Sequence, residues 1–137
     1  MRKPVVLCVD DEVNGLIGRE ALLKQKGYDV LISTSPREAL KLLASCRVDA
    51  VVLDYEMPET YGDVVASRMK QLKPDIPIML LSAHDSFAEE VLDQVDTFLS
   101  KSEPPHTFVA AVEVLLAGRE HFFSKWLHDW RRKSIAA

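Results

Sequence analysis

Residues 5–12 read VVLCVDDE. An unbroken apolar run rich in β-branched residues meets three consecutive acids, the pattern of a strand buried on both faces that stops at a charged rim. At an effective dielectric near 20, two carboxylates about 4 Å apart repel by roughly 4 kcal/mol. A cluster of this kind calls for a cation beside it.

Similar runs recur at 4–9 (PVVLCV), 28–32 (YDVLI), 49–54 (DAVVLD), 76–81 (IPIMLL) and 95–100 (VDTFLS). Between them the apolar spacing turns helical over 13–26, 36–46, 62–73 and 86–93, and a longer helical segment begins near residue 104. Ser35-Pro36-Arg37-Glu38 combines a cap, a proline at the first helical position and a capping-box glutamate, and Ser86-Phe87-Ala88-Glu89 repeats the box. Gly27 is placed to stop the first helix. Strands that are each followed by a helix, and that are apolar on both faces, predict a three-layer α/β domain built on a parallel sheet. With strand order 2-1-3-4-5, the first and third strands are neighbours, and Asp10 and Asp11 converge with Asp54 at the carboxyl edge, where such sheets bind ligands.

The chain has 137 residues, 47% hydrophobic and 28% charged, the balance of one domain with a proper core. No apolar run approaches the roughly 20 residues of a membrane span, and the first ten residues do not form a secretory signal, which predicts a cytoplasmic protein. The two cysteines, Cys8 inside an apolar strand and Cys46 near a helix end, form no CxxC and no disulfide framework. Cys8 reads as a buried, inert thiol. The net charge of −4 is uneven: five cations and two anions give residues 119–137 a charge of +3, leaving −7 on residues 1–118. So acidic a body is expected not to bind nucleic acid directly.

Three carboxylates around one point suit a small, hard divalent cation, and Mg2+ typically takes one or two carboxylates and keeps room for phosphate oxygens. Asp54 ends an apolar strand, so its carboxylate is held on a rigid element and can act as a nucleophile toward phosphorus. Lys101, just past the fifth strand, and the Ser82 hydroxyl, past the fourth, can supply donors to the phosphoryl oxygens. Neither GxxxxGK[ST] nor GxGxxG is present.

Asp10-Asp11, Asp54 followed by Met57-Pro58, Gly62 opening the next helix, Ser82-Ala83 and Phe98-Leu99-Ser100-Lys101 together resemble the receiver domain of bacterial two-component response regulators, over residues 4 to about 118. The resemblance implies a flavodoxin-like (βα)5 fold and a binding switch, not a turnover enzyme. It implies that Asp54 accepts phosphate from a phosphohistidine on a sensor histidine kinase or a histidine phosphotransfer protein. It further implies that Asp11, Asp54 and the backbone carbonyl of Glu56 ligate Mg2+, that Asp10 acts through water, and that Lys101 pairs with the phosphoryl or carboxylate oxygens. Ser82 would then move toward the phosphoryl group, and Phe98 holds the family's rotating aromatic position. Lacking a hydroxyl to bond outside, Phe98 is expected to favour the buried position. A Mg2+-dependent phosphohydrolase is the rival reading, but that class resembles a DxDxT motif with its nucleophile on the first strand. A degenerate receiver is the other rival, against which stand Asp54, Asp11 and Lys101.

The family's lysine is usually followed by proline, whereas here the run is Lys101-Ser102-Glu103-Pro104-Pro105, and the two prolines are expected to begin the last helix. Glu56 and His84 each lie two residues beyond a functional position, where attacking water must pass, and are candidate modulators of phosphate lifetime. His106, His121 and His128 read as surface residues.

The receiver reading ends at residue 118, but the apolar spacing continues through Phe122, Phe123, Trp126, Leu127 and Trp130, predicting a helix over about 105–132. Residues 119–137 thus form an amphipathic, basic extension. It can pack back on the acidic body, form a homodimer or partner-binding helix, or lie on a membrane, and helix-mediated docking or self-association is the favoured reading. The membrane reading is the weakest, since the positive residues bunch at the extreme end. Too few residues follow for a DNA-binding module, so the expectation is either a single-domain regulator acting on another protein through direct contacts or one piece of a longer chain.

Overall fold

The structure is a computed structural model and describes residues 2–84 and 86–118. Along the chain run β1 (Val5–Val9), α1 (Val13–Lys26), β2 (Asp29–Ser33), α2 (Pro36–Ser45), β3 (Ala50–Asp54), α3 (Gly62–Leu72), β4 (Ile78–Ser82), α4 (Glu89–Leu92), β5 (Thr97–Ser100) and α5 (Pro105–Ala117). The five strands pair in parallel in the order β2-β1-β3-β4-β5. The three-layer, flavodoxin-like architecture expected from the sequence is the one observed.

The side-chain period of two divides each central strand between two cores. Leu7 and Val9, Val51 and Leu53, and Ile78 and Leu80 face Ala39 and Leu43 of α2 and Val65, Ala66 and Met69 of α3. Val6 and Cys8, Ala50 and Val52, and Met79 and Leu81 face Leu16 and Leu23 of α1 and Phe108, Val112, Leu115 and Leu116 of α5. This two-sided burial is why these runs carry no polar alternation. Cys8 is buried, and burial drives its thiol pKa up to about 12, with the Arg19 charge opposing. It is therefore an inert filler.

Helix ends follow their local chemistry. Ser35 caps α2 by accepting the Glu38 backbone N–H at 3.2 Å. Gly27 ends α1 at φ 101°, and its N–H and that of Tyr28 bond to the carbonyls of Lys24 and Leu23. β4 starts one residue after Pro77, whose missing N–H suits the head of a strand and not its interior. Pro104 and Pro105 begin α5, and the described residues contain no cis peptide bond.

The helix predicted over 86–93 is a correction. Only Glu89–Leu92 is helical, Ala88 occupies the N-cap position, and Ser86 makes no capping bond. The segment buries none of its helical residues, and a single turn without a packed face has too little to stabilise its nucleus. At the other end, α5 is described to Ala117 with Gly118 beyond it, and the continuation to about residue 132 lies outside the described residues.

Candidate functional site

The parallel sheet reverses its winding direction between β1 and β3, and the loops that leave their carboxyl ends diverge there to open a cleft. Asp10, Asp11, Glu12, Asp54, Glu56, Ala83 and Lys101 line it, enclosing about 410 Å³. Asp10 follows β1 and is 1% exposed, Asp54 closes β3 at 3%, and Ser82 closes β4 at 0%. Asp11 points to solvent. One carboxylate oxygen from each of Asp10, Asp11 and Asp54 falls within 4.8 Å of the others. Two strands separated by more than forty residues of sequence therefore deliver three anionic oxygens to one point, a donor set that fits a hard divalent cation.

The protein's own cations hold this cluster together. Lys101 Nζ lies 3.0 Å from Asp54 Oδ1 and 3.2 Å from Asp10 Oδ2. Asp10 Oδ1 accepts the Glu12 backbone N–H at 2.9 Å, and Asp10 Oδ2 also pairs with Arg19 from α1. Burial works against the Asp10 charge, but the Glu12 N–H, Lys101 and Arg19 outweigh it and hold this carboxyl below its ordinary range. Asp54 behaves oppositely. Burial, reinforced by the Asp10 charge and only partly relieved by Lys101, raises its pKa to about 6. Lys101 is itself partly buried, yet its bonds to Asp54 and Asp10 raise its pKa and keep it charged. The site thus holds one firmly ionised acid and one reluctant one.

Loop geometry sets where Asp54 points. The Gly62 N–H donates to the Tyr55 carbonyl at 2.7 Å, and a Cβ at position 62 would stand 2.7 Å from the Asp54 carbonyl oxygen and 2.9 Å from Tyr55 Cα. Only glycine permits this approach of the α3 start to the β3 end. Across the cleft, the Lys101 backbone N–H donates to the Ser82 carbonyl at 2.7 Å, and the Ser82 hydroxyl accepts the His84 N–H at 3.0 Å. Phe98 is half-buried, with its ring edge-on to Phe87 at 5.0 Å. Phe87 meets Tyr55 at 4.5 Å, and Tyr55 stacks on Tyr61 at 5.2 Å, so four aromatic rings link the loops after β3 and β4 to β5.

A family model described as "Response regulator receiver domain" matches residues 6–113. The chain belongs to this family. Among relatives of the receiver, the response regulator MprA of Mycolicibacterium vanbaalenii is 38% identical over 114 residues, 81% of this chain and 49% of its own. The alkaline phosphatase synthesis transcriptional regulatory protein PhoP of Bacillus subtilis is 31% identical over 118 residues, 84% of this chain and 49% of its own. This receiver chain spans about half the length of the curated relatives it matches. A receiver domain protein from Methanospirillum hungatei shares the fold at a TM-score of 0.82 and 20% identity, covering 88% of this chain and 98% of its own. The response regulator TrrA of Thermotoga maritima, solved in complex with Mg2+-BeF, superposes at 0.77 with 31% identity over 82% of this chain and 98% of its own.

Of the positions expected from the receiver's sequence, Asp10, Asp11, Asp54, Glu56 and Lys101 line one cleft, while Ser82 is buried at the end of β4 with its hydroxyl accepting the His84 N–H. The exposed side chains of Glu56 and His84 pair at 2.6 Å between Oε1 and Nε2. His106 is exposed, and His121 and His128 lie outside the described residues. Arg19 was not foreseen. Its only sequence signal was a basic residue two helical turns beyond the acids, with a glycine one turn before it.

Proposed function

We propose that this receiver accepts a phosphoryl group on Asp54 from a phosphohistidine donor, a sensor histidine kinase or a histidine phosphotransfer protein, and switches protein contacts in response. The observation that carries this is the Asp54 carboxylate, buried at a strand end, bonded to Lys101 at 3.0 Å, and within 4.8 Å of two further carboxylates. Asp11, Asp54 and the Glu56 carbonyl would hold Mg2+, with Asp10 acting through water. The bound ion supplies charge neutralisation to the transferring phosphoryl group. An Asp54 oxygen forms a bond to phosphorus as the donor's N–P bond breaks and the histidine nitrogen departs in line. The Lys101 ammonium stays on the side of the equatorial oxygens, where their charge must be offset.

The product adds close to two negative charges beside Lys101 and Ser82. That charge favours the loop arrangement in which the Ser82 hydroxyl and the Lys101 ammonium both face it, and Phe98 fills the space Ser82 leaves. Moving a two-state element from 1:99 to 99:1 takes about 5.5 kcal/mol, within reach of a few charge-assisted hydrogen bonds. The Glu56–His84 pair stands at the opening through which water reaches phosphorus and governs how long the phosphate lasts. Residues 1–118 form the receiver in this reading, and 119–137 an extension that docks on a partner or a second copy. None of the described helices is long and apolar enough to cross a membrane.

Incubation with acetyl phosphate and Mg2+, read by intact mass, tests the assignment. Slow stoichiometric labelling that disappears in Asp54→Asn is the expected result. Repeated rapid turnover would instead indicate a hydrolase. Absence of labelling with both acetyl phosphate and a cognate kinase would indicate a degenerate receiver.

A further inference from the structure

The acidic cluster carries a cation that phosphoryl transfer does not call for. Arg19 lies two turns into α1 and its guanidinium reaches back to Asp10 Oδ2, with only 17% of the arginine side chain exposed and 1% of the aspartate's. The path is opened by Gly15, one turn earlier. A Cβ at that position would stand 3.2 Å from Nη2, 3.3 Å from Nη1 and 3.5 Å from Cζ of Arg19. Asp10 does not depend on this contact for its hydrogen bonds. Its Oδ1 accepts the Glu12 N–H at 2.9 Å and its Oδ2 already has Lys101 at 3.2 Å. What Arg19 adds is charge. Lys101 is shared with Asp54, whereas Arg19 reaches the cluster through Asp10 alone. A guanidinium stays protonated at every accessible pH and is weakly hydrated, so it can remain half-buried as a permanent positive centre.

We infer that Arg19, seated over Gly15, is a resident counter-ion of the acidic cleft that sets its divalent-cation affinity, weakening Mg2+ binding relative to the same three carboxylates without it. The inference rests on the cation-binding reading of the cleft. Five carboxylates line the cleft, those of Asp10, Asp11, Glu12, Asp54 and Glu56, and Lys101 with Arg19 offsets two of these charges, so the cation meets a site whose negative potential is reduced but not cancelled. Removing a charge that is largely buried in the cleft wall against Asp10 would raise cation affinity more than removing a solvated one. The fold meanwhile keeps Asp10 anchored through Glu12 and Lys101.

The test titrates the whole chain with MgCl2, following the backbone amides of Glu12 and Tyr55 by NMR and the heat by calorimetry, with no phosphodonor present. Arg19→Gln should bind Mg2+ about five- to tenfold more tightly than wild type. Arg19→Lys, which keeps the charge, should stay close to wild type, and Gly15→Ala, which crowds the guanidinium, should shift in the same direction as Arg19→Gln by a smaller factor. Unchanged or weaker Mg2+ binding in folded Arg19→Gln would overturn the inference and make Arg19 a structural clamp on Asp10. If Arg19→Gln loses its fold by circular dichroism, Arg19→Met, which keeps the apolar stem and drops the charge, decides, tighter binding supporting the inference and unchanged or weaker binding refuting it. Failure of folded wild type to bind Mg2+ at all is a different outcome, since it removes the cation site itself and with it both readings.

Discussion

Asp54→Asn separates the structural burden of the phosphoacceptor from its chemistry. In the folded chain the Asp54 carboxyl is raised from 3.8 to about 6, chiefly by burial and then by the Asp10 charge, with Lys101 opposing. At about 1.4 kcal/mol per unit, keeping this group ionised at neutral pH costs the native state on the order of 3 kcal/mol. Asparagine removes the charge but brings an amide that must find partners, so a net stabilisation of about 1–3 kcal/mol is expected. The pH dependence fixes the sign. The folded carboxyl keeps its proton up to about pH 6, whereas the unfolded chain releases it near 3.8, so stability from the protonated form is intact below 3.8 and is lost as pH rises through about 6. Asparagine does not titrate, so the two proteins should match in acid, diverge between these values and run parallel above. Asp10 is held below its ordinary range by Glu12, Lys101 and Arg19, opposite in direction to Asp54. Urea denaturation in EDTA across this range measures the gap. Adding MgCl2 at tenfold excess over its dissociation constant should return about 1.4 kcal/mol to wild type and much less to Asp54→Asn. An Asp54→Asn protein less stable than wild type in EDTA at neutral pH, or a gap that does not vary with pH, would refute the reasoning.

Three further outcomes follow from the geometry. Gly62→Ala places a methyl 2.7 Å from the Asp54 carbonyl oxygen and 2.9 Å from Tyr55 Cα, backbone atoms that cannot yield without moving the phosphoacceptor. It should cost about 2–3 kcal/mol in urea denaturation and slow labelling by acetyl phosphate. Glu56→Ala and His84→Ala should each speed loss of phosphate from Asp54, and the double variant should lose it no faster than either single one, since the 2.6 Å pair acts as one barrier. Phosphate decay followed by intact mass checks this, and additive effects would show that the two side chains act separately. Phe87→Ala removes the ring that joins Tyr55 to Phe98, at 4.5 and 5.0 Å, and should cost about 1–3 kcal/mol while broadening the Phe98 ring resonances in NMR spectra. Sharp, unshifted Phe98 signals would argue that the aromatic chain does not position it.

The central strands were legible because a parallel sheet covered on both faces must be apolar at every position, a pattern that needs no knowledge of the neighbours. Val51-Val52-Leu53 and Met79-Leu80-Leu81 announce themselves in this way, and all six are buried. The acids could be placed for the same reason, since a charge that abuts a fully buried strand must stand at its end. Cap chemistry located α2, where Ser35 bonds Glu38 as expected. It failed at Ser86, because a capping box specifies where a helix starts and not whether a packed face will sustain it.

What the linear pattern fixed by itself was therefore the set of elements with strong local or two-faced constraints, and the identity of the carboxylates at their ends. Tertiary structure decided everything that depends on one residue's reach toward another element: Arg19 extending over Gly15 to Asp10, His84 closing on Glu56, and Phe87 wedged between Tyr55 and Phe98. Tertiary structure also divided the protonation preferences, holding Asp10 low while raising Asp54 to about 6, because burial and shared counter-ions act through distance in space. Periodicity records what a side chain must avoid, namely water or oil, whereas pairing depends on where the folded backbone aims it.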